Sequence, residues 1–345
     1  MHRKMRAGMG VLLAGAVAVA AAGCGQESDK AKADSGSSTT AAGSRPALDE
    51  TYYWISQNST LPLFVAHDQV ALKMAAKELG VKVKIAGPTN IDLPAFISTI
   101  DQVCAQKPAG VIVVGWDPSL SASVNKCIGA GVPTVTDDAD LPESKRLAFV
   151  GTDWYDIGVA QAKALIKATG GNGEVATLSI INADNMKQAR KGFSDTLKGT
   201  NLKLVAEEDD TGDSSKAASV TASLLAAHPN ISAFAGFDSE SGAGIVRALK
   251  EAHKNGRVKV SAMEQTPEFF KTLLTGDTSA IIVQKRTLFT YYAMKLLYDY
   301  NHNGLTVSGL TKSDGVPPIP VNVNTGLIVA DKTTAAALSR GGQKP

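Results

Sequence analysis

The sequence predicts an α/β protein with two successive doubly wound, parallel-sheet lobes. Two observations carry this. Short β-rich runs alternate with longer helical stripes from end to end, the signature of a parallel sheet covered by helices on both faces. The strand-like runs are also too numerous for one tidy sheet, so two successive sheets of about five strands is the economical division. In chain order the runs are Thr51–Ser56, Val81–Ala86, Gly110–Gly115, Val132–Thr136, Arg146–Val150, Glu174–Ile181, Leu202–Glu207, Ile231–Gly236, Val258–Ala262 and Ser279–Val283. Helical patterns fill most of the gaps. Ala71, Met74, Ala75 and Leu79 form an apolar stripe stopped by Gly80, and Ala293, Leu296, Leu297 and Tyr300 form another ended by Asn303-Gly304. These stripes read as core faces. The break between lobes falls near Gly151–Trp154.

The first 47 residues read differently. Arg3, Lys4 and Arg6 precede an apolar run from Met9 to Ala22, then Gly23-Cys24 and a polar tract. Charge, a short apolar segment and small residues before a cleavage point make a secretion signal over 1–23; the run is short for a membrane span. Ala21, Ala22 and Gly23 before Cys24 resemble the lipobox of bacterial lipoproteins, although Ala21 departs from the usual Leu. That resemblance implies a lipidated Cys24 anchoring an exported protein to the outer face of the cell membrane. Residues 24–47, rich in Ser, Thr, Ala and Gly, cannot bury enough apolar surface to order themselves and form a flexible linker.

Composition narrows the partners. Without the three leader cations the chain holds 32 basic against 33 acidic side chains, and a near-neutral balance without basic clusters argues against nucleic acid. No metal-ligand spacing and no cofactor motif occurs, so neither a metal nor a cofactor is expected. Cys104 and Cys127 are candidates for a disulfide, open to an exported protein; the alternative is two small buried apolar side chains.

In open parallel sheets, ligands bind beyond the carboxyl ends of the strands. There the sequence places Ser56, Gln57 and Asn58, then Phe64; Trp116; Asp137, Asp138 and Asp140; Trp154; Phe237 and Asp238; Glu264; and Gln284. Each alone has a bland use as a helix cap or core residue. Together they suit a sugar or polyol, whose C–H faces stack on aromatic planes and whose hydroxyls pair with carboxylates and amides.

On these residues the chain resembles the ribose-binding-like substrate-binding proteins of sugar ABC importers. The resemblance covers nearly all of Tyr52 to Lys332 and rests on ordered pieces: Ser56 to Phe64, Gly131 to Asp137, Gly151-Thr152-Asp153, Lys191-Gly192-Phe193, Ala227 to Ile231, Thr266-Pro267-Glu268, Gln284 and Thr325 to Val329. It implies a type I periplasmic binding fold with three crossovers, near 151–153, 284–286 and 304–309. The lobes would be 48–151 with 286–306, and 152–285 with 307–345. It also implies a monomer that closes on a small sugar or polyol and delivers it to an ABC permease. Ser56, Phe64, Asp137, Trp154, Phe237, Glu264 and Gln284 match sugar-touching positions of the family; Trp116, Asp138, Arg190 and Asp238 complete the candidate set.

The departures are Leu61 for a common Asn, Asp138 for a basic residue, Ala189 for an arginine with Arg190 one step away, and Phe237 for a common Asn. These lost arginines and gained carboxylates point to another polyhydroxy compound or one with an amino group. Four carboxylates, Asp137, Asp138, Asp238 and Glu264, would favour protonation or a positive ligand unless Lys145, Arg146 or Lys187 neutralises them. A sensor output, docking on a kinase or chemoreceptor, is the other alternative. No nucleophile elbow or phosphate loop is present, so the sequence does not read as an enzyme.

Overall fold

A computed structural model describes residues 48–263 and 265–340. The leader, Cys24, the linker and Glu264 lie outside the described residues.

The first lobe begins with β1 (Thr51–Ile55), α1 (Gln69–Leu79), β2 (Lys82–Ala86), α2 (Leu93–Ala105), β3 (Gly110–Val114), α3 (Ser121–Gly129), β4 (Thr134–Asp137) and β5 (Phe149–Gly151). In β1, Tyr52 and Trp54 face one core layer while Tyr53 and Ile55 face the other. Period-2 alternation with both faces apolar is what a sheet covered on two sides requires. Of the expected stripe in α1, Ala71, Ala75 and Leu79 are buried together with Leu72 and Ala76, whereas Met74 is about half exposed. The packed face is rotated toward Leu72 and Ala76, two small or compact residues that let the helix lie close to its neighbours. Sulfur atoms of Cys104 and Cys127 are bonded, with Cα atoms 5.3 Å apart, so a disulfide joins α2 to α3.

The chain enters the second lobe at Thr152-Asp153, where the Asp153 side chain accepts hydrogen bonds from the backbone N–H groups of Tyr155 and Asp156 and caps α4 (Trp154–Thr169). There follow β6 (Asn172–Ser179), α5 (Asp184–Leu197), β7 (Asn201–Asp209), α6 (Ser214–Ala227), β8 (Ile231–Gly236), α7 (Ser241–Glu251), β9 (Lys259–Ala262), α8 (Pro267–Thr275) and β10 (Ala280–Gln284). Helices α4 and α5 meet through glycines. A Cβ on Gly158 would lie 1.8 Å from the Ala189 carbonyl oxygen, and one on Gly192 would lie 2.1 Å from that of Tyr155. No other residue permits that approach.

Past Lys285 the chain returns to the first lobe as α9 (Arg286–His302), whose Ala293, Met294 and Leu297 pack with Tyr52, Trp54 and Leu72. The tail adds β11 (Asn322–Asn324), β12 (Leu327–Ala330) and α10 (Lys332–Leu338). The strand orders are β11-β5-β4-β3-β1-β2 and β12-β10-β9-β8-β6-β7, six strands in each sheet among the described residues. Every pairing is parallel except β10 with β12.

The last crossover differs from expectation. Strand β11 pairs with β5, Val323 opposite Val150, so the chain stays with the first lobe until Thr325-Gly326 rather than leaving it near 304–309. Only then does β12 join β10. The two tail strands are short and polar or half-exposed, which left no apolar alternation to announce them.

Candidate functional site

A cleft lies between the lobes at the carboxyl ends of both sheets. From the first lobe, the turn Phe64–Asp68 is π-helical and leads into α1. Its wide i to i+5 closure buries both Phe64 and Asp68. Phe64 stacks edge-on against Trp54 at 5.4 Å and lines the cleft with Trp116 and Asp138. Asp138 adopts φ +62°, a left-handed conformation that Asp tolerates better than most residues. This turns its backbone carbonyl toward the hinge, where the indole N–H of Trp154 donates to it at 2.8 Å. From the second lobe come Trp154 itself, Asn185, Phe237 and Asp238, with Gln284 at the hinge. The lips approach at Gly212, where a Cβ would lie 3.0 Å from Ile180 of the same lobe and 3.9 Å from Ile91 of the other.

Seven of the eleven sequence candidates therefore line one cleft: Phe64, Trp116, Asp138, Trp154, Phe237, Asp238 and Gln284. Three lie elsewhere. Ser56 is fully buried beside Gly87, and its hydroxyl has no partner. Asp137 is buried, with one oxygen accepting from the indole N–H of Trp54 at 3.0 Å. Burial pushes its carboxyl well above the usual range, reinforced by the nearby charges of Asp68 and Asp138. Arg190 turns away from the cleft lining: its guanidinium donates to the Ser179 hydroxyl and the Ile181 carbonyl and pairs with Glu207.

Sequence reasoning missed the cation at the centre. Arg286, the first residue of α9, is 3 % exposed and lines the cleft. It donates to Asp68 at 2.9 and 3.0 Å and to Asp138 at 2.9 and 3.0 Å, a double bidentate fork, and touches the Gln284 amide oxygen at 3.2 Å. Its plane lies over Phe64 and Phe289. Burial raises the Asp68 carboxyl to about 6, with Arg286 opposing the rise. The expected crowd of uncompensated carboxylates is thus corrected here: Arg286 neutralises Asp138, while Arg146 is engaged with Asp140. The one available signal was position, since Arg286 stands two residues past Gln284 at a strand end.

The remaining polar groups show what the cleft can hold. Gln57, Trp116, Asn185, Asp238 and Gln284 each line it, and each has one buried side-chain N or O without a protein partner: Gln57 Oε1, Trp116 Nε1, Asn185 Oδ1, Asp238 Oδ2 and Gln284 Nε2. Donors and acceptors are mixed among them. A buried polar atom left unpaired costs about 1–3 kcal/mol, so their clustering marks a place built for a polar ligand. Phe64, Trp116, Phe237 and Met263 supply the apolar surface between them.

The chain is similar to known proteins in sequence and in fold. Residues 52–304 match the model of the periplasmic binding protein domain. The D-allose-binding periplasmic protein of Escherichia coli (strain K12) is 27% identical over 244 residues, 67% of this chain and 78% of the relative. Among solved structures, the sugar-binding protein of a sugar ABC transporter from Bacillus halodurans is 26% identical with a TM-score of 0.77, covering 84% of this chain and 100% of that one. GanP, a glucose-galactose binding protein from Geobacillus stearothermophilus, is 25% identical with a TM-score of 0.75, covering 83% of this chain and 98% of its own. A two-lobed fold, a polar and aromatic cleft at the strand ends, and a family match across most of the chain lead to one conclusion: this chain belongs to the periplasmic binding protein domain family.

Proposed function

We propose that the protein captures a small neutral sugar or polyol between its lobes and hands it to an ABC importer. The observation that carries this is the cluster of unpaired buried donors and acceptors set among the aromatic planes of one interlobe cleft. The relatives named for sugar binding support the ligand class. Ligand held first by one lobe gains the contacts of the other on closure, and only that added affinity can shift the population toward the closed form. No step of bond-breaking is needed, and the protein acts as a carrier rather than an enzyme.

The leader supports an extracytoplasmic site of action. A lipid on Cys24 would hold the carrier at the membrane, and the linker over 24–47 would let a monomeric pair of lobes reach the permease. Mass spectrometry of ligand released from gently purified protein, followed by titration calorimetry with D-allose, D-ribose and D-galactose, tests the reading. A neutral saccharide recovered unchanged supports it; recovery of an amine, or of a chemically altered sugar, overturns it. Uptake of the labelled sugar should fall when the gene is deleted, and unaffected uptake with lost gene induction would point to sensing instead.

A further inference from the structure

At the second lobe's edge, two carboxyl groups meet without a cation. Asp210 follows β7 and is fully buried; Asp238 follows β8 and is 7 % exposed, and the two meet at Ser241, whose backbone N–H donates to Asp238 and whose hydroxyl donates to Asp210. Among the described residues neither takes part in an ion pair. Asp238 Oδ1 accepts from the backbone N–H groups of Glu240 and Ser241 at 2.8 and 2.7 Å. Asp210 accepts from the Ser241 hydroxyl and, at 3.1 Å, from the Gly212 N–H. Asp238 Oδ2, however, has no donor. Two ionised carboxylates in this position would repel at low dielectric, whereas a hydrogen shared between them relieves that repulsion.

We propose that Asp210 is a positioning residue for ligand binding, sharing a single proton with Asp238 and thereby tying the β7–α6 turn to the β8–α7 turn at the cleft. This rests on the reading of the cleft as a sugar site. The turn that Asp210 holds contains one strained residue: the β-branched Thr211 has φ +56°, beside Gly212 at φ +68°, which glycine adopts freely. A Cβ on Gly212 would also lie 3.9 Å from Ile91 of the first lobe. Loss of the proton therefore disturbs both a cleft-lining carboxylate and the lip that meets the opposite lobe.

The neighbouring charges strengthen the case. Asp209 accepts from the N–H groups of Ile181 and Thr211, Asp213 caps α6, and Glu240 is half-buried beside both Asp210 and Asp213. The cations near this edge are occupied: Arg190 with Glu207, and Arg247 with the Ser214 carbonyl. Ile91, facing from the other lobe, is uncharged. Burial, and then the Asp238 charge, raise Asp210 to about 8. The two groups titrate as a pair, so the proton belongs to both.

Two measurements test this. The first needs no ligand. An unfolded carboxyl releases its proton near the ordinary value of 3.8, the folded Asp210 near 8, so wild type loses stability as pH rises between those values and levels off above. Asp210→Asn, which keeps a donor facing Asp238, should escape that loss. Its thermal midpoint relative to wild type should rise from pH 5 to 8 and then stay constant; a constant gap from pH 5 to 9 overturns the shared proton. The second is wild-type affinity for D-allose from pH 6 to 9.5, with proton uptake at pH 8 measured calorimetrically in buffers of different ionisation heat. Affinity should fall by up to about tenfold per pH unit above 8 with net proton uptake, the slope of a one-proton linkage, and Asp210→Asn should flatten the profile. A flat wild-type profile overturns the positioning role while leaving sugar binding intact. Failure to bind any sugar at any pH overturns the function instead, and the midpoint series still decides the proton.

Discussion

The two lobes bury the carboxylates at and behind the cleft in opposite ways. In the first, Arg286 lies between Asp68 and Asp138 and holds both with fixed charge. In the second, Asp210 and Asp238 have only each other. A guanidinium stays charged at every accessible pH, so the first arrangement resists titration once Asp68 has ionised near 6. The second depends on a proton that leaves near 8. The first lobe also carries the disulfide. The difference teaches that one edge of the cleft, the floor, is held by fixed charge, whereas the other, the lid, is tied through the proposed shared proton.

The sharpest way to break this comparison is to remove the cation. Arg286→Met leaves Asp68 and Asp138 buried and unpaired, and losing one partner of such a network costs about 3–5 kcal/mol. Chemical denaturation should show that loss, and a variant as stable as wild type would falsify the fixed-charge account. Adding Asp68→Asn to Arg286→Met should recover part of the loss by removing one orphaned charge.

The disulfide offers the next effect. Cys104 and Cys127 are 23 positions apart, and closing a loop of that length stabilises by about 3 kcal/mol through the unfolded chain. Denaturation with and without reductant should differ by that order, and Cys104→Ser with Cys127→Ser should erase the difference. If reductant still destabilises the double variant, the staple is not the source.

How much of this was legible in the sequence follows from range. Strands β1 to β10 announced themselves as β-rich runs; the central ones, such as β3 and β10, are apolar and buried on both faces, while the edge strands β2 and β7 mix apolar residues with exposed polar ones. Phe64, Trp116, Trp154, Phe237 and Asp238 could be placed at the cleft because strand ends in a parallel sheet share one edge, a rule that needs no tertiary knowledge. Arg286 could not, since its role depends on Asp68, distant in sequence and brought near only when α9 returns to the first lobe. Arg190 misled for the reverse reason: its place next to a family position says nothing about which way a helix turns its side chain. Strands β11 and β12 were silent because three or four residues, mostly polar in β11 and apolar but part-exposed in β12, are too few to show a period.

On the binding side, the hinge amide should outweigh its size. Gln284 contributes its amide oxygen to Arg286 and has its amide nitrogen unpaired at the cleft, so Gln284→Ala removes a ligand contact and loosens the floor together. Affinity for D-allose should fall at least about tenfold, or about 1.4 kcal/mol, with stability little changed. Asp238→Ala should weaken binding by a similar factor from the other lobe. Unchanged affinity in both would refute the placement of the ligand between them.

The smallest effect joins the two lobes. Trp154 opens α4 in the second lobe, yet its indole N–H donates to the carbonyl of Asp138 in the first. That single bond crosses the hinge and also fixes the left-handed Asp138 whose carboxylate Arg286 holds. Trp154→Phe keeps an aromatic plane at the cleft and deletes the donor, at a cost of about 1 kcal/mol for a typical net hydrogen bond. If fixed charge holds the floor without this bond, affinity should drop by no more than about fivefold and the Arg286 pairings should keep the stability near that of wild type. A drop as large as that of Gln284→Ala would mean instead that the floor is held in place from the lid, and the division between the lobes would dissolve.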